Sequence, residues 1–133
     1  MNTFRLQIVT PDGPMYDSLA ERVFLRSMTG DIEILARHCN YCTGIGMGEA
    51  RVTDPGGEIR RAACIGGMLT VTEGVCRIMA TTWEWREDID IERAEVAKAR
   101  AEQRLADHNL SEKEAKIAEA KLRRALVRIG VKS

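Results

Sequence analysis

Thr82-Trp83-Glu84-Trp85-Arg86-Glu87-Asp88-Ile89-Asp90-Ile91-Glu92-Arg93-Ala94 is the stretch in which the chain changes its period. Upstream, apolar residues alternate with polar ones, or run in short blocks between turn signals, as strands do. Downstream, Ala94, Ala97, Ala101 and Leu105 recur at spacings of three and four, with charges between them. That is the pattern of one helix face.

Working back from Thr82, residues 75–81 read as a strand preceded by a turn at Glu73-Gly74. Residues 68–72 read as another, separated from 58–65 by a break at Gly66-Gly67, because paired glycines weaken a strand. Asp54-Pro55-Gly56-Gly57 is turn chemistry and joins residues 51–53 to 58–65. Gly44, Gly46 and Gly48 predict a bend or bulge. Residues 22–27 and 31–35 read as strands, and Phe4, Leu6 and Ile8 alternate with Arg5, Gln7 and Val9 before the turn Pro11-Asp12-Gly13-Pro14. Short strands at regular spacing predict an antiparallel β-sandwich.

Working forward, the first helix spans about residues 90–105 and is broken at His108-Asn109-Leu110. Ser111-Glu112-Lys113-Glu114 is a capping box that opens a second helix. Ala115, Ala118, Leu122, Ala125 and Ile129 form its apolar stripe, and Gly130 is expected to stop it. So short a loop makes the two helices an antiparallel hairpin. The fold class is therefore α+β: an N-terminal sandwich over residues 1–87, then a two-helix hairpin over 88–133. Alanine at most seam positions buries little apolar area, so the hairpin is expected to be weakly held and able to open.

Charge divides the chain at the same place. Residues 1–88 carry nine Arg, no Lys and twelve acids, a net −3, and residues 89–133 a net +3. The net-acidic β part, and a basic helix without interleaved aromatics, exclude a nucleic-acid partner. No run approaches the roughly 18 apolar residues of a membrane span, and the first residues lack a signal-peptide core. Direct membrane insertion is not expected, and Cys39, Cys42, Cys64 and Cys76 are expected to be reduced thiols.

Four blocks in order along the chain resemble the epsilon subunit of bacterial F-type ATP synthases: residues 9–14, Gly30-Asp31-Ile32-Glu33-Ile34-Leu35 with His38, Gly66-Gly67-Met68-Leu69-Thr70-Val71, and Asp88-Ile89-Asp90 with Arg93-Ala94. The resemblance covers essentially the full length. It implies a non-catalytic rotor subunit of the central stalk that couples proton flow to ATP synthesis. Its sandwich would bind the gamma subunit and rest on the c ring through the loop at Thr29, Gly30 and Asp31. Its hairpin would reach the alpha and beta subunits and inhibit ATP hydrolysis. The location implied is peripheral, at the cytoplasmic face of the plasma membrane. Where the family shows Gly before its His and Pro shortly after, this chain has Arg37-His38-Cys39-Asn40.

Some members of that family carry Ile-Asp-x-x-Arg-Ala, which binds ATP and holds the hairpin folded. Here Ile89-Asp90-Ile91-Glu92-Arg93-Ala94 matches in full, with Arg100, Arg124, Arg128 and Glu84 at further matching positions. The resemblance thus implies ATP as a regulatory ligand and no required cofactor. Arg93 and Arg100 lie two turns apart on one helix face and suit phosphate oxygens, while Asp90 or Glu84 would accept from the adenine amino group or a ribose hydroxyl. The same residues have a plainer role, since Asp90 is also well placed to cap the helix and to pair with Arg93.

His38, Cys39 and Cys42 amount to three potential zinc ligands where a structural site needs four, so no metal is expected. A thiol nucleophile with His38 as base lacks an orienting third group, and no catalytic residue is assigned. A free-standing adaptor, a β domain with a helical arm, fits the composition equally and is the alternative reading.

Overall fold

In the computed structural model, which describes residues 2–133, seven strands form one continuous sheet: β1 (Phe4–Thr10), β2 (Gly13–Ala20), β3 (Arg22–Ser27), β4 (Gly30–Leu35), β5 (Tyr41–Thr53), β6 (Ile59–Thr72) and β7 (Val75–Trp85). They are ordered β2-β1-β7-β6-β5-β3-β4. All neighbours are antiparallel except β1 and β7, which run parallel with Leu6 opposite Cys76 and Ile8 opposite Ile78. Leu6 and Ile8 share one buried core with Val23, Leu25 and Ile34, although β1 and β4 lie near opposite edges of the sheet. Side chains so placed meet only if the sheet folds over on itself, which gives the sandwich its two layers.

Three expectations change. β2 has no counterpart in the sequence reading, because Met15-Tyr16-Asp17-Ser18-Leu19 does not alternate. It is an edge strand held by its backbone ladder to β1 and by a hydrogen-bonded Arg5–Asp17 ion pair. Gly66-Gly67 does not end a strand, since β6 runs through it without interruption. Glycine is required there for a different reason. Gly67 has φ +128°, and a Cβ on it would lie 2.8 Å from Ala80 Cα and closer still to the carbonyl oxygen of Met79. The bulge expected around Gly44, Gly46 and Gly48 is real but one-sided. Three steps along β3, from Phe24 to Ser27, face six along β5, from Arg51 to Ile45, while the β5–β6 ladder keeps its register.

A short 3₁₀ turn, Arg86–Asp88, leads into α1 (Ile91–Leu105) and α2 (Glu112–Lys132). Asp90 Oδ1 accepts from the Arg93 N–H at 3.1 Å, and Ser111 Oγ accepts from the Glu114 N–H at 3.1 Å, so both helices open on the caps the sequence predicts. Glu114 also accepts from Arg104 at 2.6 Å, which fastens the hairpin's tip. Ala94 and Ala101 of α1 face Ala118 and Ala125 of α2 as the buried seam, with Leu105, Ala115, Leu122 and Ile129 half-buried along it and Ala97 exposed.

Gly130 does not stop α2, which continues to Lys132. One residue beyond the expected stop, Val131 is fully buried against Ala63 and Ile89, with Val127 beside it. Arg86 donates to the carbonyls of Val131 (3.1 Å) and Lys132 (3.2 Å), and Lys132 Nζ donates to Arg86 O (3.0 Å). These contacts satisfy carbonyls that a helix end leaves open, and so hold its last turn in place. They also dock α2 on β5 and β6 by its C-terminal end. Burying Val131 stabilises this arrangement by about 2 kcal/mol. The part-exposed Glu84–Arg128 pair adds about 1 kcal/mol or less.

Candidate functional site: the groove between hairpin and sandwich

The motif residues come together at the root of the hairpin, where β7, the 3₁₀ turn and both helices converge. Glu84, Asp88, Asp90, Arg93, Ala94 and Arg128 line a cavity of about 260 Å³. Further along the same interhelical groove, Arg100 and Arg124 line a second cavity of about 520 Å³ with Arg104 and Lys121. The predicted nucleotide residues are thus divided between two neighbouring spaces rather than gathered round one. Ile89 lines neither, because its side chain is buried in the cluster under Val131.

Three of these groups are already engaged. Asp90 caps α1 through the Arg93 N–H, and Glu84 Oε1 accepts from Arg128 Nε at 2.6 Å. The Glu84–Arg128 bond joins β7 to α2 across 44 residues of chain, between two residues that line the smaller cavity. Among the described residues, no carboxylate lies within ion-pair distance of Arg93, Arg100, Arg123 or Arg124. Three predicted guanidiniums therefore face the groove with their hydrogen-bonding forks free. Asp88, Arg104 and Lys121 are not among the expected ligand residues: Arg104 and Lys121 come alongside only through the antiparallel pairing of α1 and α2, whereas Asp88 stands two residues before Asp90 in the 3₁₀ turn.

The loop at Thr29, Gly30 and Asp31 is the tight β3–β4 turn. Ser27 Oγ donates to Gly30 O at 2.6 Å and accepts from the Thr29 N–H at 3.2 Å, and Gly30 takes φ +132°. Asp31 pairs with Arg26 at 3.1 Å, and Met28 stands at the tip 72% exposed. The turn therefore presents a methionine and a partly compensated acid on a rigid base.

Cys39 lies beside His38, with Sγ 4.0 Å from Nδ1, while that nitrogen is 2.8 Å from Cys39 O. No three His, Cys, Asp or Glu side chains among the described residues are placed to hold a metal. Cys39 and Cys42 are exposed, whereas burial pushes the Cys64 and Cys76 thiols up to about 12. At pH 8, a thiol-reactive disulfide reagent is therefore expected to modify two of the four cysteines in the native chain and all four after denaturation. Prompt reaction of a third thiol in the native chain would contradict the burial. Since the two buried thiols ionise only near 12 in the fold and near 9.0 ordinarily, their burial costs stability as pH rises from about 9 to 12.

Two family models match the chain end to end. The "ATP synthase, Delta/Epsilon chain, beta-sandwich domain" covers residues 3–86, and the "ATP synthase, Delta/Epsilon chain, long alpha-helix domain" covers 87–133. The chain belongs to the ATP synthase delta/epsilon chain family. Among its relatives, the ATP synthase epsilon chain of an Exiguobacterium species is 36% identical over 133 residues, covering 100% of this chain and 98% of that one. The epsilon chain of Alkaliphilus oremlandii is 42% identical over 105 residues, covering 79% and 78%. A chain in the Euglena gracilis mitochondrial ATP synthase superposes with a TM-score of 0.80 at 21% identity, covering 91% of this chain and 76% of that one, and so shares the fold. A member of this family is a non-catalytic subunit of a membrane-associated synthase complex. No helix among the described residues is long and apolar enough to cross a membrane.

Proposed function

We propose that this chain turns with the central stalk of an ATP synthase at the cytoplasmic face of the plasma membrane. In this reading the sandwich is the fixed anchor on the gamma subunit and the c ring, with Thr29, Gly30 and Asp31 toward the ring. The hairpin is the moving part, extending toward the alpha and beta subunits to impede ATP hydrolysis. The observation that carries the reading is the hairpin's one-ended attachment. It rests on the sandwich through the last turns of α2 and Ile89, over an alanine seam. A hold of a few kcal/mol is small enough for a partner surface or a ligand to reverse.

ATP is proposed as a ligand that opposes such release and keeps the hairpin folded, with phosphates between Arg93, Arg100 and Arg124 and Glu84 or Asp90 toward the base or ribose. Binding requires Glu84 and Arg128 to exchange their mutual bond for ligand contacts. Three free guanidiniums along one groove supply the charge that phosphates need, without a glycine-rich loop. Calorimetric titration with Mg-ATP is expected to give one-to-one binding, weakened about tenfold or more by Arg93→Ala. The anchor role is tested separately by binding to purified gamma subunit. Wild-type affinity for gamma in Arg93→Ala, with ATP binding lost, fits the division of labour. Failure of the native chain to bind gamma would overturn it.

A further inference from the structure

The face of α2 that docks on the sandwich reads Arg123, Val127, Val131 at intervals of four. The two valines seat at the 131 end, with Val131 buried against Ala63 and Ile89. One turn toward the hairpin tip an arginine replaces valine, helix and sheet do not close, and a cleft of about 640 Å³ remains between them. Its floor is apolar, made by Met28, Ile45, Met47 and Ile65 from the β3–β4 turn and from β5 and β6. Gly46 and Gly66 line it without side chains to fill it, with Thr81 of β7 at its rim. Its roof is Arg123 and Arg124.

The electrostatics of this cleft are one-sided. Arg26 is answered by Asp31 at 3.1 Å, but Arg123 and Arg124 have no carboxylate within ion-pair distance among the described residues, and no acid lines the cleft. An apolar floor of this size under two uncompensated guanidiniums matches a ligand that is anionic at one end and aliphatic at the other. Water alone would leave Met28 and Met47 solvated without gain, and a hydrophilic anion would leave the floor uncovered.

We infer that the cleft binds an anionic amphiphile, with a carboxylate or phosphate headgroup on Arg123 and Arg124 and a single alkyl chain along Met28, Ile45, Met47 and Ile65. Such a ligand touches α2 and the sheet at once, so it binds the folded hairpin and not the released one, and it stabilises the folded form by linkage. The site adjoins the proposed nucleotide groove and shares Arg124 with it, but Arg123, Met47 and Thr81 take no part in that groove.

The test uses the full chain with oleate and with oleoyl lysophosphatidate as alternative sources of the headgroup, both below their micellar concentrations. Monoolein is the neutral control, and acetate and inorganic phosphate are the tail-less ones. One-to-one binding of either anionic amphiphile is expected, at least tenfold tighter than monoolein or the tail-less anions. Which of the two binds more tightly identifies the headgroup. Arg123→Glu should weaken that binding tenfold or more. Thr81→Trp, at an exposed position whose indole would fill the cleft, should abolish it without loss of far-ultraviolet circular dichroism. Arg93→Ala should leave it unchanged, which separates this site from ATP binding. Absence of saturable binding, monoolein binding as tightly as oleate, or indifference to both Arg123→Glu and Thr81→Trp would overturn the proposal.

Discussion

Gly67→Ala is expected to lower the unfolding free energy by roughly 3 kcal/mol or more, the sum of backbone strain and overpacking. The position combines two independent prohibitions. Its φ of +128° belongs to a region that side-chain-bearing residues rarely enter, and the added methyl would collide with the backbone of Met79 and Ala80 on β7. Backbone atoms of a central strand cannot swing aside as a flexible side chain can, so β6 and β7 must separate locally. Gly74→Ala is the control, because Gly74 has φ +79° but a Cβ there meets nothing within 4 Å. It should cost only the strain, about 1 kcal/mol. Urea unfolding of the two variants would reveal the difference, and equal midpoints would contradict the close approach of β7.

Val131→Asp is expected to have the second-largest effect, confined to the hairpin. The site is fully buried against Ala63 and Ile89, and an unpaired carboxylate there costs several kcal/mol. That exceeds the few kcal/mol holding α2, so the helix should leave the sheet rather than bury the charge. Amide hydrogen exchange in α1 and α2 should accelerate about a hundredfold, corresponding to about 2.7 kcal/mol, while the β1, β6 and β7 core amides keep their protection. Leu126→Asp, on the same helix but 45% exposed, should change little. Equal loss of protection in sheet and hairpin would mean that the two parts unfold together.

These expectations depend on features of unequal visibility in the sequence. The helices and both caps were readable, because Asp90 and Ser111 act through bonds to residues three positions on. β1 and β4 were readable from alternation, and β3 as a short apolar run between polar ends. β2 was not, because its residues do not alternate, and its ladder to β1 and the Arg5–Asp17 pair leave no periodic mark. Gly66, Gly67 and Gly130 were misread as punctuation. In each case the reason glycine is tolerated or required comes from a distant segment: β7 passing beside Gly67, and Ala63 and Ile89 receiving the valine beyond Gly130.

At the groove, resemblance supplied Glu84, Asp90, Arg93, Ala94, Arg100, Arg124 and Arg128, and helical spacing added that Arg93 and Arg100 share one face. What neither could reveal was the pairing of Glu84 with Arg128 across 44 residues, the burial of Ile89, and the division of the arginines between two spaces. Those are consequences of where α2 docks. The same docking leaves Arg123 over an apolar floor, a juxtaposition of residues about 60 to 95 positions apart that no local pattern encodes.

With the sandwich as anchor and the hairpin as a movable inhibitory arm, fixing the hairpin in place should abolish inhibition. Locking the arm tests this expectation most directly. Ala63→Cys and Val131→Cys, in a chain with Cys39 and Cys42 replaced by Ser, place two thiols in the same buried contact at the docked end of α2. ATP hydrolysis by a complex of alpha, beta and gamma subunits is then measured with the native chain, with the oxidised variant and with the same variant reduced. The native and reduced chains are expected to inhibit, whereas the oxidised chain binds gamma with unchanged affinity and leaves hydrolysis uninhibited. Inhibition by the oxidised chain equal to that of the native one would contradict it.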